Sequence, residues 1–429
     1  MFNYLINKIK NKKIKIGIVG LGYVGLPLAK GFLDKKVKVY GFDTDRKKIE
    51  LLKSKKSYIN YFSDFKIKQM MQNGFLPTSD LSYISETDVI ILCLPTPIKK
   101  NKSPEMKFIN NSLNSIVPYL KKNQTICLES TTYPGTCEEL ILPKLKKKFK
   151  VGTDFFLIYS PEREDPGNEK YSLGKIPKVL GGLTEKCSKV GTEIYKLLGI
   201  KVVKVNDLKT AEFTKLLENI YRSVNIGLIN EMKIITEKLG IDIYNAIEAA
   251  STKPFGFQTF YPGPGYGGHC IPIDPFILAW RANQCGADAK FINLSGLINE
   301  KMPKIIAAKV LNYSKKFKKK KVFIVGVTYK KNVDDMRESP ALKIINLLEQ
   351  KGLKIDYHDP YVKKIPELRN YRIKKISKKL TKKNLKNTIT LLITDHDRLD
   401  YTYLKKNSEI IFDCRGRYKN NMDSKIIQV

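Results

Sequence analysis

Residues 14–27 read IKIGIVGLGYVGLP. The apolar run 14–20 has the length and β-branched content of a strand buried on both faces. It ends on Gly20-Leu21-Gly22-Tyr23-Val24-Gly25, a G-x-G-x-x-G turn. A helical pattern follows over Pro27–Lys36, then a second strand, Lys38–Phe42, which stops at Asp43. In such a βαβ unit each position has a task. Gly20 permits the tight turn, Gly22 lets the backbone approach a pyrophosphate, and Gly25 lets helix and strand pack closely. The helix N-terminus, from Tyr23 and Val24 onward, presents free N–H groups to an anion. Asp43 can take both ribose hydroxyls, and its charge would repel a 2′-phosphate. NAD is therefore expected rather than NADP, with Arg46 and Lys47 nearby as the counter-argument.

Working outward, Asp88–Leu94, Gln124–Leu128 and Phe155–Tyr159 read as further buried strands, alternating with helical segments. That alternation indicates a parallel α/β sheet. The texture changes near Leu208. From Thr210 to Leu239 there is no Pro and helix period dominates; 275–315 is again mostly helical, with a break near Gly286. After the polar stretch Lys318–Lys321, the run Val322–Val327 restarts the α/β rhythm. A helix over Ser339–Gln350 follows, with strands at Lys354–His358, Thr388–Ile393 and Glu409–Phe412. The expected architecture is two Rossmann-like parallel-sheet domains joined by a central helical region, over 1–207, 208–317 and 318–429.

Composition narrows the class. The 429 residues are 42% hydrophobic, too many for a disordered polymer. No uncharged apolar run approaches the roughly 20 residues a membrane helix needs. Lys8, Lys10, Lys12 and Lys13 leave no room for a secretory h-region, so a cytoplasmic protein without a membrane partner is expected. Formal charge is +36, from 78 basic and 42 acidic residues. The excess is mostly Lys and runs along the whole chain, whereas a nucleic-acid reader draws on Arg. Solvated lysine faces are the expected reading; a nucleic acid or other polyanion partner is the alternative. Seven irregularly spaced Cys, three His and no Cys-x-x-Cys argue against a disulfide framework and a zinc site, and no metal is expected.

Several segments carry candidate chemistry. Thr96 in CLPTP and Ser130, Thr131 and Thr132 in ESTTYP stand at strand ends, the edge where open α/β sheets bind ligands. Residues 262–275, PGPGYGGHCIPIDP, place Cys270 after a Gly-rich run that includes Gly267. Asp274-Pro275 then opens a helix. A Cys near a helix N-terminus tends toward thiolate and can form covalent intermediates with carbonyls. An inert core Cys is the plainer alternative. His269 is its sequence neighbour, and no Cys–His dyad follows from adjacency. In AEFTKLLENIYRS, Lys215, Asn219 and Arg222 fall at i, i+4 and i+7. Facing a cleft, that stripe would meet a developing oxyanion; facing water, it is an ordinary polar face. Ser160-Pro161-Glu162-Arg163-Glu164-Asp165-Pro166-Gly167 offers acids for general-base work, or a charged loop.

Taken in order, the G-x-G-x-x-G, STTYPG, SPE, AExxKLxxN, GGxC-x-x-x-D and YKxxxxDxRxSP motifs resemble the nucleotide-sugar dehydrogenase (UDP-glucose/GDP-mannose dehydrogenase) family over about Lys15–Arg417. The resemblance implies an NAD-binding domain, a central dimerisation region and a UDP-binding domain. It implies a homo-dimer or higher homo-oligomer. The implied reaction is NAD-dependent oxidation of carbon six of a UDP-sugar from alcohol to carboxylate. Cys270 matches the nucleophile that carries a thiohemiacetal and then a thioester. Lys215 matches the oxyanion-stabilising residue, Asn219 its hydrogen-bonding partner, and Asp274 the carboxylate that orders a water with Lys215. Glu162 matches the base for thioester hydrolysis, and Thr132 a residue near the nicotinamide. Lys330 and Arg337 match substrate and cofactor contacts. Arg163, Arg222, Tyr261, Gly267 and His269 complete the expected substrate contacts, and Thr96 the cofactor contacts. The chemistry is consistent: alcohol to acid removes four electrons, one NAD takes two, and a Cys holds the aldehyde between steps.

SPEREDPGN, STKPFGF and GGHCIPIDPF resemble the bacterial UDP-N-acetylglucosamine 6-dehydrogenase branch, which supplies surface polysaccharides such as O-antigen. UDP-N-acetylmannosamine is the near alternative and UDP-glucose the third. A second acid often lies four residues beyond the SPE glutamate; here that position is Pro166. A non-catalytic polyanion-binding protein on the same scaffold is the remaining alternative.

Overall fold

The computed structural model describes residues 1–59, 62–163, 175–268, 270–367, 371–420 and 423–429. It divides into two units, Met1–Glu218 with Trp280–Ala287, and Asn219–Ala279 with Asp288–Val429. Each has its own parallel sheet and its own core.

Among the described residues, the first unit is built on an eight-stranded sheet in the order β3-β2-β1-β4-β5-β6-β7-β8. The strands are β1 (Lys15–Val19), β2 (Lys38–Phe42), β3 (Leu76–Thr78), β4 (Val89–Leu92), β5 (Thr125–Leu128), β6 (Phe156–Tyr159), β7 (Lys178–Gly182) and β8 (Val202–Lys204). β1 pairs with both β2 and β4, so the chain reverses direction across the sheet there. That switch point opens a crevice at the carboxyl ends of β1 and β4. Val, Ile and Leu fill both faces. Ile16, Ile18 and Ile91 pack with helices Gly25–Asp34 and Glu185–Lys196; Val19, Ile90 and Leu92 pack with helix Lys107–Ile116.

The expected strands lie within a residue or two of the observed ones, but two features differ. Helix Phe2–Lys10 precedes β1 and buries Leu5, Ile6 and Ile9. The sheet is also not wholly parallel, because β7 runs antiparallel to β6. KVLGG did not read as a strand because its glycines obscure the pattern. A Cβ on Gly181 would stand 2.2 Å from the Asp207 carbonyl oxygen, and one on Gly182 would stand 2.4 Å from the Ser188 nitrogen. Close packing therefore requires the residues that weaken the strand signal.

The second unit holds a five-stranded, all-parallel sheet among the described residues, in the order β10-β9-β11-β12-β13. Its strands are β9 (Lys321–Val325), β10 (Lys354–His358), β11 (Ile389–Leu392), β12 (Ile411–Asp413) and β13 (Ile426–Gln428). Ser339 caps helix Pro340–Gln350, accepting from the Ala341 N–H. That helix and Lys290–Lys316 bury Ile345, Ile306 and Val310 against Ile324 and Leu391. The 32-residue helix Leu208–Leu239 starts in the first unit and ends in the second. Among the described residues, no helix is long and apolar enough to cross a membrane.

Candidate functional site

In the first unit the turn after β1 has the shape a dinucleotide needs. Gly20 has φ +97°, and a Cβ there would lie 2.4 Å from the Cys93 carbonyl oxygen. A Cβ on Gly25 would lie 2.0 Å from the Gly20 oxygen, whereas one on Gly22 would meet nothing within 4 Å. Two glycines thus serve packing, and Gly22 leaves open space beside the backbone where a pyrophosphate would approach. Tyr23 is exposed and Val24 half-buried at the start of helix Gly25–Asp34. The Asp43 carboxylate accepts from the Leu21 N–H at 3.0 Å and the Asp45 N–H at 2.9 Å. Lys48 pairs with it at 3.2 Å. These bonds aim the carboxylate and leave acceptor capacity for a ribose hydroxyl. They also place the neighbouring cation at Lys48, while Arg46 and Lys47 are exposed. The residues present fit a dinucleotide.

The strand-end hydroxyls divide into two kinds. Thr96 donates to the Thr131 carbonyl at 2.6 Å, and Ser130 accepts from the Leu94 N–H at 2.8 Å, so both brace the turns against each other. Thr132 is different: its hydroxyl is fully buried and, among the described residues, lacks a hydrogen-bond partner. Such an orphan in native structure calls for a ligand or water. Its turn is pinned by Glu212, whose carboxylate accepts from the Gly135 N–H and, at 2.9 Å, the Cys137 N–H. Burial pushes Glu212 up to about 7, against those two donors. Tyr133 meets Trp280 edge-on at 5.2 Å, and Arg281 binds the Pro134 carbonyl at 3.1 Å.

Glu162 ends the Ser-Pro-Glu turn after β6 and is half-buried. Lys178 reaches it at 3.0 Å and also reaches the buried Glu129 at 3.2 Å. Arg163, expected at substrate, has its guanidinium on Glu218 and on the Pro177 carbonyl at 2.6 Å. Those bonds make it a brace for this turn. Residues 164–168, expected to set the sugar, lie outside the described residues. On helix Leu208–Leu239, Lys215 is buried and, among the described residues, makes no hydrogen bond or ion pair. Arg222 is exposed, so the expected polar stripe is buried only at Lys215 and Asn219.

In the second unit Asn219 donates to the Asp274 carboxylate at 2.5 Å, both residues buried. Asp274 begins helix Asp274–Gln284, and its N–H bonds the Cys270 carbonyl at 2.9 Å, as does the Ile273 N–H at 3.0 Å. The half-buried Cys270 is therefore held one turn before a helix whose first residue is locked by Asn219. In the Gly-rich run before it, the Gly268 N–H donates to the Arg337 carbonyl at 2.9 Å, and a Cβ on Gly267 would stand 2.6 Å from the Tyr329 Cβ. The glycines dock the Cys loop on segment 329–338. The Arg337 guanidinium forks onto Asp335 at 2.7 and 3.1 Å, an engagement to set beside its expected cofactor contact. The Lys330 ammonium lies 5.9 Å from the Tyr329 ring centroid. Exposed Tyr261 stacks near Tyr244, with the Lys419 ammonium 4.7 Å from its ring. His269 lies outside the described residues.

The sequence did not mark Lys178, Tyr195 or Lys48, and Glu129 and Glu212 stood in quoted motifs without a role. For Lys178 the available signal was a lysine opening an apolar run.

Comparison with known proteins agrees with this arrangement. Family models match in order: UDP-glucose/GDP-mannose dehydrogenase family, NAD binding domain, over residues 14–199; the central domain over 209–301; and the UDP binding domain over 323–420. The chain is 36% identical over 358 residues to the UDP-N-acetyl-D-mannosamine dehydrogenase of Methanocaldococcus jannaschii, covering 81% of this chain and 80% of that one. It is 33% identical over 369 residues to the UDP-N-acetyl-D-glucosamine 6-dehydrogenase of Pseudomonas aeruginosa, covering 84% and 86%. The solved UDP-N-acetyl-mannosamine dehydrogenase Cap5O of Staphylococcus aureus superposes with TM-score 0.81 at 31% identity, covering 97% of each chain. With an NAD-binding domain, a central domain and a UDP-binding domain in that order, the chain belongs to the UDP-glucose/GDP-mannose dehydrogenase family, the NAD-dependent nucleotide-sugar dehydrogenases.

Proposed function

We propose that this enzyme oxidises carbon six of a UDP-N-acetylhexosamine to the uronic acid in two steps, through a covalent Cys270 adduct. The observation that carries the reading is the Asn219–Asp274 bond behind the Cys270 turn. It ties Asn219 to the first residue of the helix that follows Cys270, which supports reading Cys270, Asn219 and Asp274 as one preorganised group. Bound NAD supplies a hydride acceptor for each oxidation. Gly20, Gly22 and Gly25, with Tyr23, Val24 and Asp43, would hold it, and the orphan hydroxyl of Thr132 suits a place near its reactive end.

Cys270 sulfur adds to the aldehyde carbon, and the resulting thiohemiacetal keeps the half-oxidised sugar from escaping. Lys215, unpaired among the described residues, supplies the cation for the oxyanion, with Asn219 beside it on the helix. Asp274 and Lys215 order a water. Glu162 takes that water's proton as the Cys270 thioester is hydrolysed. Lys330 and Arg337 serve the UDP-sugar and cofactor from the 329–338 segment.

Two epimers remain in contention, each with its own support. The SPEREDPGN and GGHCIPIDPF resemblance points to N-acetylglucosamine, a name the Pseudomonas relative carries, although N-acetylmannosamine enzymes share loops of the GGHCIP type. The archaeal and staphylococcal relatives carry the N-acetylmannosamine name. We keep the three-part division 1–207, 208–317 and 318–429 and read the enzyme as cytoplasmic, where NAD and UDP-sugars are made. Its product would feed surface-polysaccharide synthesis. We read it as a homo-dimer, because Tyr221, Leu228 and Ile235 repeat every seventh residue as exposed apolar side chains. The test is NADH formation at 340 nm with UDP-N-acetylglucosamine, UDP-N-acetylmannosamine and UDP-glucose in parallel. Two NADH per sugar from one acetamido substrate supports the reading. Turnover of UDP-glucose alone overturns the sugar class, and silence from folded, NAD-binding protein overturns the activity.

A further inference from the structure

The antiparallel step between β6 and β7 has a chemical consequence. Its register pairs Ile158 with Gly182 and Tyr159 with Gly181. Continued past the strand ends, the same register sets Glu162 opposite Lys178. The Ser160 hydroxyl, which donates to the Val179 carbonyl at 2.8 Å, keeps the strands together over that stretch. Lys178 is thereby delivered into the interior with its side chain 5% exposed, between Glu162 at 17% and Glu129 at 0%. Glu129 is anchored in turn by the Tyr195 hydroxyl, which lies 3.1 Å from the Cys127 sulfur. The lysine ammonium also lies 5.0 Å from the Tyr195 ring centroid.

Among the described groups at Glu162 are Lys178 and, through it, Glu129, Tyr195 and Cys127, and the Arg163 N–H donates to the same carboxylate at 2.7 Å. Cys93 lies within electrostatic reach, and the Arg163–Glu218 pair stands on the solvent side. Among these, Lys178 is the cation in contact with two carboxylates. Burial alone would lower its pKa, but Glu129 and Glu162 hold it well above the ordinary lysine value, so it stays charged. Burial raises Glu129. A second buried carboxylate beside Glu162 would by itself favour the protonated form, and the lysine between the two opposes that.

We propose that Lys178 is a positioning residue for Glu162. It holds that carboxylate ionised and in place, using the fixed Glu129–Tyr195 pair as its anchor. This rests on the reading of Glu162 as the base for hydrolysis of the Cys270 thioester. In that step the water oxygen bonds to the carbonyl carbon and its proton passes to a Glu162 oxygen. The carbon–sulfur bond breaks, and the Cys270 thiolate leaves.

The test compares full-length Lys178→Met, Lys178→Arg, Glu129→Gln and Glu162→Gln. Readouts are the pH profile of kcat, KM for the sugar, acyl-enzyme mass on Cys270, and NADH binding by fluorescence as the folding control. Lys178→Met should move the acid limb of kcat upward by about one to three pH units. KM should change less than about twofold, because the effect is on the base and not on uniform binding. Lys178→Arg should return the limb most of the way. Glu129→Gln should move it downward, because Lys178 then serves Glu162 alone. Lys178→Met that binds NADH and keeps the wild-type limb overturns the proposal. Should that variant not fold, an unmoved limb in both Lys178→Arg and Glu129→Gln overturns it equally. Glu162→Gln separates the two ideas: full turnover there removes the base assignment itself. Acyl-enzyme accumulation in Glu162→Gln with no effect at Lys178 removes only the positioning role.

Discussion

Asn219 and Asp274, 55 positions apart in the chain, share a buried hydrogen bond of 2.5 Å. One stands on the long helix Leu208–Leu239 and the other at the first position of helix Asp274–Gln284. The bond gives the carboxylate a donor inside the protein and fixes the start of the helix that follows Cys270. Asn219→Ala removes the donor and leaves a buried carboxylate under-satisfied. The expected result is a fall in kcat of about 10²–10³-fold, with NADH binding kept. Stopped-flow NADH formation measures it, and an unchanged rate would separate this pair from the chemistry.

Cys270→Ser keeps the turn, because the bonds to that residue from Ile273 and Asp274 use its backbone carbonyl. A serine ester is a poorer intermediate than a thioester. Full two-step turnover should stop while a partial first oxidation remains, read as at most one NADH per sugar. Two NADH per sugar from this variant would remove the covalent mechanism.

The three glycines of the first turn should respond differently. Gly25→Ala and Gly20→Ala each force a Cβ to within 2.4 Å or less of a carbonyl oxygen. Both should lower the melting temperature, with a loss of stability greater than the roughly 1 kcal/mol typical of a point mutant. Gly22→Ala meets no protein atom and should melt as wild type while binding NADH at least about tenfold more weakly. Thermal melts with fluorescence titration decide it, and equal NADH affinity in Gly22→Ala would remove that residue from the cofactor site.

Asp359 supplies a pH signature for the second unit. It accepts from the N–H groups of Val327, Tyr361 and Val362 at 2.8–3.0 Å and pairs with buried His396 at 3.0 Å. Burial alone would raise its pKa; His396 and the backbone donors outweigh burial and lower it. A lowered carboxylate pKa means the stabilisation is complete above the unfolded-state value and lost as pH falls through the folded one. Asp359→Asn should cost about 3 kcal/mol at neutral pH and flatten the loss of stability below about pH 4. Urea unfolding across pH 3–7 reads both, and an unchanged acid slope would assign the acid sensitivity elsewhere.

Leu228 lies mid-way along the exposed repeat of helix Leu208–Leu239. Leu228→Glu puts a charge on that exposed face. Sedimentation should show the wild type as a dimer or larger and the variant shifted toward monomer. A wild-type monomer would refute the dimer outright.

Much of this protein could be read locally. IKIGIVG with G-x-G-x-x-G reports the first strand, its turn and the nucleotide site, because a strand, a tight turn and a helix start each impose their own residues within a few positions. The runs 322–327 and 354–358 reported the second sheet for the same reason. Cys270, Lys215, Asn219 and Asp274 stood out because a reactive or charged group in an apolar or Gly-rich setting is locally conspicuous. Arg163, Arg222, Thr96 and Gly267 were conspicuous in the same way; the structure shows bracing bonds at Arg163 and Thr96, close packing at Gly267 and an exposed Arg222. Residue type announces capacity to bond, and the neighbours decide what is bonded.

The order of elements, the cofactor turn, the choice of NAD and the family are properties of the sequence by itself, because short-range sterics and apolar period encode them. The reversal of β7, the orphan hydroxyl of Thr132 and the placing of Lys178 between Glu129 and Glu162 belong to the tertiary structure alone. Each depends on which segments become neighbours in space. A charge's energy is set by the few ångströms around it, and that distance is measured through space rather than along the chain.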